Sequence, residues 1–466
     1  MPSYSGKFQY LSADGSAAQA GTCQVTFDES TLTLAPTAGA PLAFDLGDID
    51  LFQPGDFELT LTLYTGKKIL LNQFGKALQN LGHDLLEAYR QRLVQCLLLE
   101  DLEETTRFDG FAQPSSPVLP ARSFSSPAEF RLYRSNLAVL PTLATGFQWR
   151  LADVDAVKFD EASYALALES GGERLTVTKL AKRTREFRER LENSVAQLNQ
   201  HTANTLHEIF PFLNPDQLQQ ATLLMREGHA APLAGLKAIH PKTEQALVGN
   251  VIDAKLKPYF DALIKHVPPG WGYAGFKLIR EEEEPGETEA ELPVEEPVTA
   301  SAGANEEPQE EAPEEPAQEA PEEETGKQPI LYWFFFPLAT KPGARFPGNL
   351  VAWEATSKGG RATYFFRLLP REQARVLADP SQAPAAVDAA IRQLNRALVL
   401  LNFRREPVYL PDDSLEMQPR FRRYAIACRK IPELRRLRAS FLGRAVHTSP
   451  QAWNKQLEAF LAKAEV

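Results

Sequence analysis

The stretch FDLGDIDLF, residues 44–52, decides how the first half of this 466-residue chain is read. A counterpart, WRLADVDAV, occupies 149–157, with Asp153 and Asp155 standing where Asp48 and Asp50 stand 105 positions earlier. An Asp-x-Asp between apolar residues is ordinary strand grammar. A repeated order of everything around it indicates duplication, and a missed repeat misreads a whole fold.

Upstream of Asp48 the residues alternate in short runs bounded by turn formers: GKFQYL (6–11), TCQVTFD (22–28) and TLTLAP (31–36). LAFDLGDIDLF (42–52) reads as one further strand, followed by DFELTLTLY (56–64) and KKILLNQF (67–74). In the penultimate run Phe57, Leu59, Leu61 and Leu63 share one face, the period-2 mark of a half-buried strand. The period then changes. Leu78, Leu81, Leu85, Tyr89 and Leu93 recur at helical spacing and close the unit with an amphipathic helix. The second copy follows in the same order: FRLYRSNLAVLP (130–141), WRLADVDAV, SYALALES (163–170) and ERLTVTKL (173–180). A helix then carries Phe187, Leu191, Val195 and Leu198 on one stripe.

Downstream, Asn214 caps a helix that begins at Pro215. NVIDAKLKPYFDALIKHV (250–267) continues helically, with Pro258 a kink or break. GYAGFKLIR then leads out as a strand able to pair with ILYWFFFPL (330–338). Beyond lie NLVAWEAT (349–356), the turn SKGGR (357–361), ATYFFRLL (362–369) and a helix over 385–403. FRRYAIACRKI (421–431) reads as a strand, and PELRRLRASFLGR and SPQAWNKQLEAFLAKA read as closing helices. The expected organisation is an α+β multidomain chain: repeats over 1–104 and 118–205, a helical connector over 206–271, and an α+β domain from 272–280 plus 327–466. A Glu/Pro/Ala-rich linker over 281–326 interrupts the last. Its composition cannot bury enough apolar surface to offset ordering, so disorder is expected there.

Several short strands, a mid-domain LxDI-type pivot and one closing helix resemble the pleckstrin-homology-like superfold, in its bacterial and GRAM-type forms. Leu46, Asp48 and Ile49 match the pivot, as do Leu151, Asp153 and Val154. The resemblance implies two antiparallel barrels or sandwiches, each closed by a C-terminal helix. The superfold's phosphoinositide-binding members use bases on the first two strands and their loop. Here the first such loop, SADGSAAQAGT, has none, and the second copy offers only Arg122, Arg131 and Arg134, out of the usual arrangement. Phosphoinositide binding is therefore not expected. A scaffold for peptides or other domains is.

Chemistry-bearing patterns are sparse. The seven His show no metal spacing, the three Cys (23, 96, 428) form no CxxC, and neither GxxxxGK[ST] nor GxSxG occurs. GWGYAG (270–275) has the GxGxxG spacing but leads into a strand, without the following helix that would aim amides at a phosphate. No catalytic residue, cofactor or metal ligand is assigned. The acid pairs read as structural. No apolar run approaches the ~20 residues of a membrane helix, no secretory leader is evident, and isolated thiols suit a reducing cytoplasm.

Charge is the sharper signal. Residues 281–325 hold 19 Glu and no Lys, Arg or Asp, whereas 330–466 hold 22 bases against 11 acids. The candidate anion- or partner-binding residues are Arg404, Arg405, Arg420, Arg422, Arg423, Arg429, Lys430, Arg435, Arg436, Arg438 and Arg444. Such a cluster attracts phosphates or acidic protein, and a tethered acidic run can compete for it at high effective concentration. The expected function is a non-enzymatic protein–protein interaction or scaffold protein with an acidic tether able to mask a basic face. The alternative is a phosphate-binding module for nucleic acid or an anionic membrane surface. An enzyme with its site in the aromatic C-terminal domain is the third class.

Overall fold

The computed structural model describes residues 2–116, 123–252, 255–279, 330–356 and 362–464. The acidic tract, the SKGGR turn and Arg122 lie outside them.

The first repeat comprises β1 (Ser3–Leu11), β2 (Ala17–Phe27), β3 (Thr31–Pro36), β4 (Leu42–Asp45), β5 (Ile49–Pro54), β6 (Glu58–Leu63) and β7 (Lys68–Asn72), then helix α1 (Ala77–Cys96). Its antiparallel sheet runs β4-β3-β2-β1-β7-β6-β5. The second repeat has β8 (Glu104–Ser115), β9 (Ser126–Tyr133), β10 (Asn136–Pro141), β11 (Phe147–Arg150), β12 (Ala156–Asp160), β13 (Ala165–Ser170), β14 (Glu173–Thr178) and α2 (Thr184–Ile209). Its order, β11-β10-β9-β8-β14-β13-β12, is the first repeat's order over again. Residues 104–115, all but the first of them placed between the repeats by sequence, supply the second repeat's first strand.

Two expectations change here. The sheets are open seven-stranded sheets, not closed barrels: β4 and β5, or β11 and β12, are the two ends of the order. FDLGDIDLF is also not one strand but the break between those ends. The Asp45 carboxylate accepts from the Gly47 amide at 2.8 Å and folds Leu46–Asp48 into a single 3-10 turn. Leu151–Asp153 forms the same turn in the second repeat. Leu59, Leu61 and Leu63 point inward as their alternation requires, whereas Phe57 lies before β6 begins and is 85% exposed.

The second sheet is covered on both faces. Leu137 and Val139 of β10 enter the core beneath α2, while Ala138 and Leu140 join a larger core containing Leu85, Tyr89 and Leu93 of α1. This is why LAVL reads as a continuous apolar run instead of alternating. A backbone bond from the Phe52 amide to the Thr142 carbonyl, 2.9 Å, ties the repeats together.

The connector contains α3 (Pro215–Leu224), β15 (Ala231–Pro232), α4 (Leu233–Ile239), α5 (Lys242–Val251) and α6 (Lys257–Ile264). Asn214 caps α3 in a reciprocal box with Gln217, as its sequence indicates. Then come β16 (Tyr273–Leu278), β17 (Ile330–Leu338), β18 (Leu350–Ala355), β19 (Ala362–Phe366), α7 (Ala383–Leu400), α8 (Glu406–Tyr409), α9 (Asp412–Met417), α10 (Arg422–Lys430), α11 (Pro432–Ser440), β20 (Phe441–Val446) and α12 (Pro450–Ala464).

Strands β15 to β20 form a third sheet in sequential order. β16 pairs with β17 as expected, Leu278 opposite Ile330, so the acidic tract is an insertion in a hairpin. Both faces are buried. Trp333, Phe335, Trp353 and Tyr364 meet α7, α10 and α11, while Phe334, Phe336, Ala352 and Phe365 meet α4, α6 and α12. The apolar core of the first repeat is continuous with the first of these faces.

The expected strand 421–431 is helix α10, and the helix expected through Arg444 stops at Ser440. FLGRAV then becomes edge strand β20, pairing Thr363 with Ala445. Among the described residues no helix is long and apolar enough to cross a membrane.

Candidate partner-binding site

The helical state of α10 fixes where its bases go. Arg422, Arg429 and Lys430 stand at i, i+7 and i+8, one face of a helix, and that face meets the Asp-x-Asp of the first repeat. Arg429 reaches Asp48 at 2.5 Å and Arg422 reaches it at 3.0 Å, and both also engage Glu416 of α9. Burial pushes the Asp48 carboxyl above its ordinary value even beside Arg429 and Arg422. Lys430 is buried, with Nζ donating to the Ile49 carbonyl at 2.8 Å and to Asp50 at 2.9 Å.

The second repeat repeats the device with different donors. Asp153, buried, is engaged by His229 of the connector and faces Arg396 of α7 at 3.6 Å. Asp155 accepts from the Gly171 amide at 2.8 Å and lies 4.0 Å from Arg226. The paired acids are structural, as their recurrence implies, and they act between modules: each repeat presents the same two carboxylates to cations from downstream. Lys430→Ala is expected to cost about 2 kcal/mol, because it strips the buried partner from the Ile49 carbonyl and Asp50. A urea titration checks this, and Asp50→Ala in the same background should then cost little.

Most of the basic cluster is used inside the molecule. Arg423 pairs with Glu100, and Arg438 bonds the carbonyls of Pro407 and Leu410 and pairs with Asp412 at 2.5 Å. Arg405 is buried, with its guanidinium over Trp353 and Tyr364. Arg444 lies over Tyr409 and Arg420 over Phe421. Arg131 is buried against Glu129 and Gln91, and Arg134 pairs with Glu103. Arg404 is partly buried. Arg420, Arg435 and Arg436 are the exposed members, so the eleven bases do not converge on one face.

Arg436 does converge with residues that sequence reasoning passed over. Arg392 and Arg396 lie one helical turn apart on α7, and α11 packs alongside with Arg436. Together with Gly171, Glu173, Ala389, Gln393, Pro432 and Glu433 they enclose a recess of about 190 Å³ between the second repeat and the C-terminal domain. Arg436 bonds the neutral Gln393 side chain, and Arg392, exposed, makes no hydrogen bond or ion pair among the described residues. Arg396 donates to Ser170 Oγ at 3.0 Å. A Cβ at Gly171 would stand 3.1 Å from Arg396 Nη2, at φ +55°, so the Gly-Gly turn of SGGER allows this approach. Glu173 accepts from the buried Ser116 hydroxyl at 2.6 Å. An adjoining chamber of about 30 Å³ shares Arg396, Glu173 and Glu433 with the recess and is lined by Trp149, whose buried Nε1 has no hydrogen-bond partner among the described residues. The signal for this site was the i,i+4 arginine pair in AIRQLNRAL; its other wall comes from a hairpin some 220 residues earlier.

No protein-family model and no curated protein matches the chain. The recess must therefore be read on its own chemistry.

Proposed function

We propose that this chain is a non-enzymatic interaction protein of the cytoplasm. Two pleckstrin-homology-like modules and the C-terminal domain are docked into one body, which engages a protein partner at the recess between them. The observation that carries this is the division among the bases. Those the chain uses for its own assembly are turned inward onto Asp48, Asp50 and Asp153, while Arg392 and Arg436 stand exposed on the rim of a seam that three segments of chain build together. The pleckstrin-homology-like assignment is supported by the repeated strand order, the repeated 3-10 turn at the pivot and the helix that follows each sheet. A non-enzymatic role is consistent with the thiols, which burial pushes up to about 11 in Cys23 and Cys428 and about 12 in Cys96, leaving little nucleophilic thiolate at neutral pH.

The second reading, a phosphate-bearing polyanion as partner, draws on Arg420, Arg435 and Arg436, which remain exposed. Cross-linked capture from source cells separates the two. The full chain and the double variant Arg392→Glu/Arg436→Glu are compared by mass spectrometry. A defined protein enriched by the native chain and lost from the variant is the expected result. Equal capture by both removes the recess from consideration, and recovery of nucleic acid or lipid that falls steeply with salt favours the polyanion.

A further inference from the structure

We propose that the recess at the seam is a carboxylate-binding site that recognises an aliphatic acid. The group is presented as an acidic side chain of the partner or as a small free acid. This rests on the recess being the partner site and names the chemistry recognised there.

The argument begins with which charges are already used. Arg396 faces Asp153 and bonds Ser170, and Glu173 holds the Ser116 hydroxyl, so these groups are occupied by the fold itself. Among the described residues Arg436 has only the neutral Gln393 side chain as hydrogen-bond partner, and Arg392 has no acid paired with it. The two come from different helices, α11 and α7, so their guanidinium forks approach the recess from two sides. Paired guanidinium donors suit a planar carboxylate, which accepts bidentate bonds. Ala389 and Pro432 line the same recess and suit an aliphatic stem.

Charge selects the carboxylate over a phosphate monoester. With Arg396 already answered by Asp153, the remaining arginines of the outer recess, Arg392 and Arg436, are matched in number by Glu173 and Glu433. There is no surplus positive charge, so each negative charge a ligand adds counts against it. A carboxylate brings one negative charge, whereas a phosphomonoester brings about 1.5–2 at neutral pH, plus repulsion from Glu173 and Glu433. The indole N–H of Trp149 lines the adjoining chamber and is a buried donor without an acceptor among the described residues. It also places a fluorophore beside the site.

The test titrates the full chain with propionate, its neutral isostere propionamide and inorganic phosphate at fixed ionic strength, followed by calorimetry and tryptophan fluorescence. A capped Glu-containing peptide and its Gln counterpart form a parallel arm. Each titration is repeated on a chain in which a short turn replaces 281–325, a change the Leu278–Ile330 pairing accommodates, so that the chain's own glutamates cannot hide the site. Propionate is expected to bind at least tenfold more tightly than propionamide, and the Glu peptide at least tenfold more tightly than the Gln peptide. Arg392→Ala and Arg436→Ala should each lower affinity about tenfold without shifting Tm. Trp149→Phe should remove the fluorescence change and keep the heat. A peptide tighter than propionate identifies a protein side chain as the source; the reverse identifies a free acid. Phosphate binding more tightly than propionate, or no carboxylate binding by either chain, overturns the proposal. If capture of the partner still depends on Arg392 and Arg436 while no carboxylate binds, the partner site stands and only its chemistry is wrong.

Discussion

Trp333→Ala is expected to destabilise the protein by about 5 kcal/mol, the largest effect of any single substitution considered. Trp333 is fully buried in β17, with its ring 4.5 Å from that of Phe403. Removing it carries the transfer and cavity cost of a large aromatic, about 3–5 kcal/mol. It also orphans the buried Asn395, whose Oδ1 accepts from the indole at 2.8 Å while its amide donates to the Gly228 carbonyl at 2.7 Å. An acceptor left unpaired adds about 1–3 kcal/mol. Trp333 thereby links the third sheet, α7 and the connector through one side chain. Gly275 opposite is obligatory, since a Cβ there would stand 2.3 Å from the ring. Trp333→Phe keeps most of the packing and loses the donor, so about 2 kcal/mol is expected. Urea denaturation with an unchanged m-value checks both, and a loss below about 2 kcal/mol for the alanine variant would show that α7 does not depend on this contact.

Asp153→Asn is expected to cost about 3 kcal/mol at neutral pH, the scale for breaking a buried charged contact, and to change the shape of the acid limb. Burial opposes ionisation of Asp153, yet Arg150, His229 and Arg396 together hold its carboxyl well below the usual carboxylate range. A carboxyl depressed in the folded state stabilises above its unfolded value, near pH 4, and that contribution is lost as pH falls toward the folded value. The gap between native chain and variant should therefore be full at pH 7 and shrink steadily below pH 4. A gap that stays constant down to pH 2 would rule out ionised Asp153 as the source of the difference.

The periodic parts of the fold were legible. Leu59, Leu61 and Leu63 declared a half-buried strand, Leu81, Leu85 and Leu93 a helix face, and the common order across 105 residues a duplication. What misled was alternation without partners. FDLGDIDLF alternates as a strand would, but its pairing is set by Asp45 folding onto Gly47, a local hydrogen bond that hydropathy does not record. FRRYAIACRK is short enough to fit either period. The spacing of Arg422, Arg429 and Lys430 distinguishes them only once Asp48 and Asp50 are known to lie opposite. For the same reason the arginine cluster looked like one surface in sequence and is several in space: Arg423, Arg429 and Arg438 each answer a carboxylate on a different segment. The recess was least legible, because Arg392 and Arg396 acquire meaning only when Gly171 and Glu173 arrive from the second repeat.

The pairing of β16 with β17 has a mechanical corollary. The chain enters and leaves the 279–329 insertion at adjacent points of one hydrogen-bonded ladder. A single cut within that insertion would therefore yield two polypeptides rather than two proteins. The heavier would bring both repeats, the connector and two strands. The lighter would bring four strands and the helices whose cations sit on Asp48, Asp50 and Asp153, and the halves would stay clasped as a nicked heterodimer.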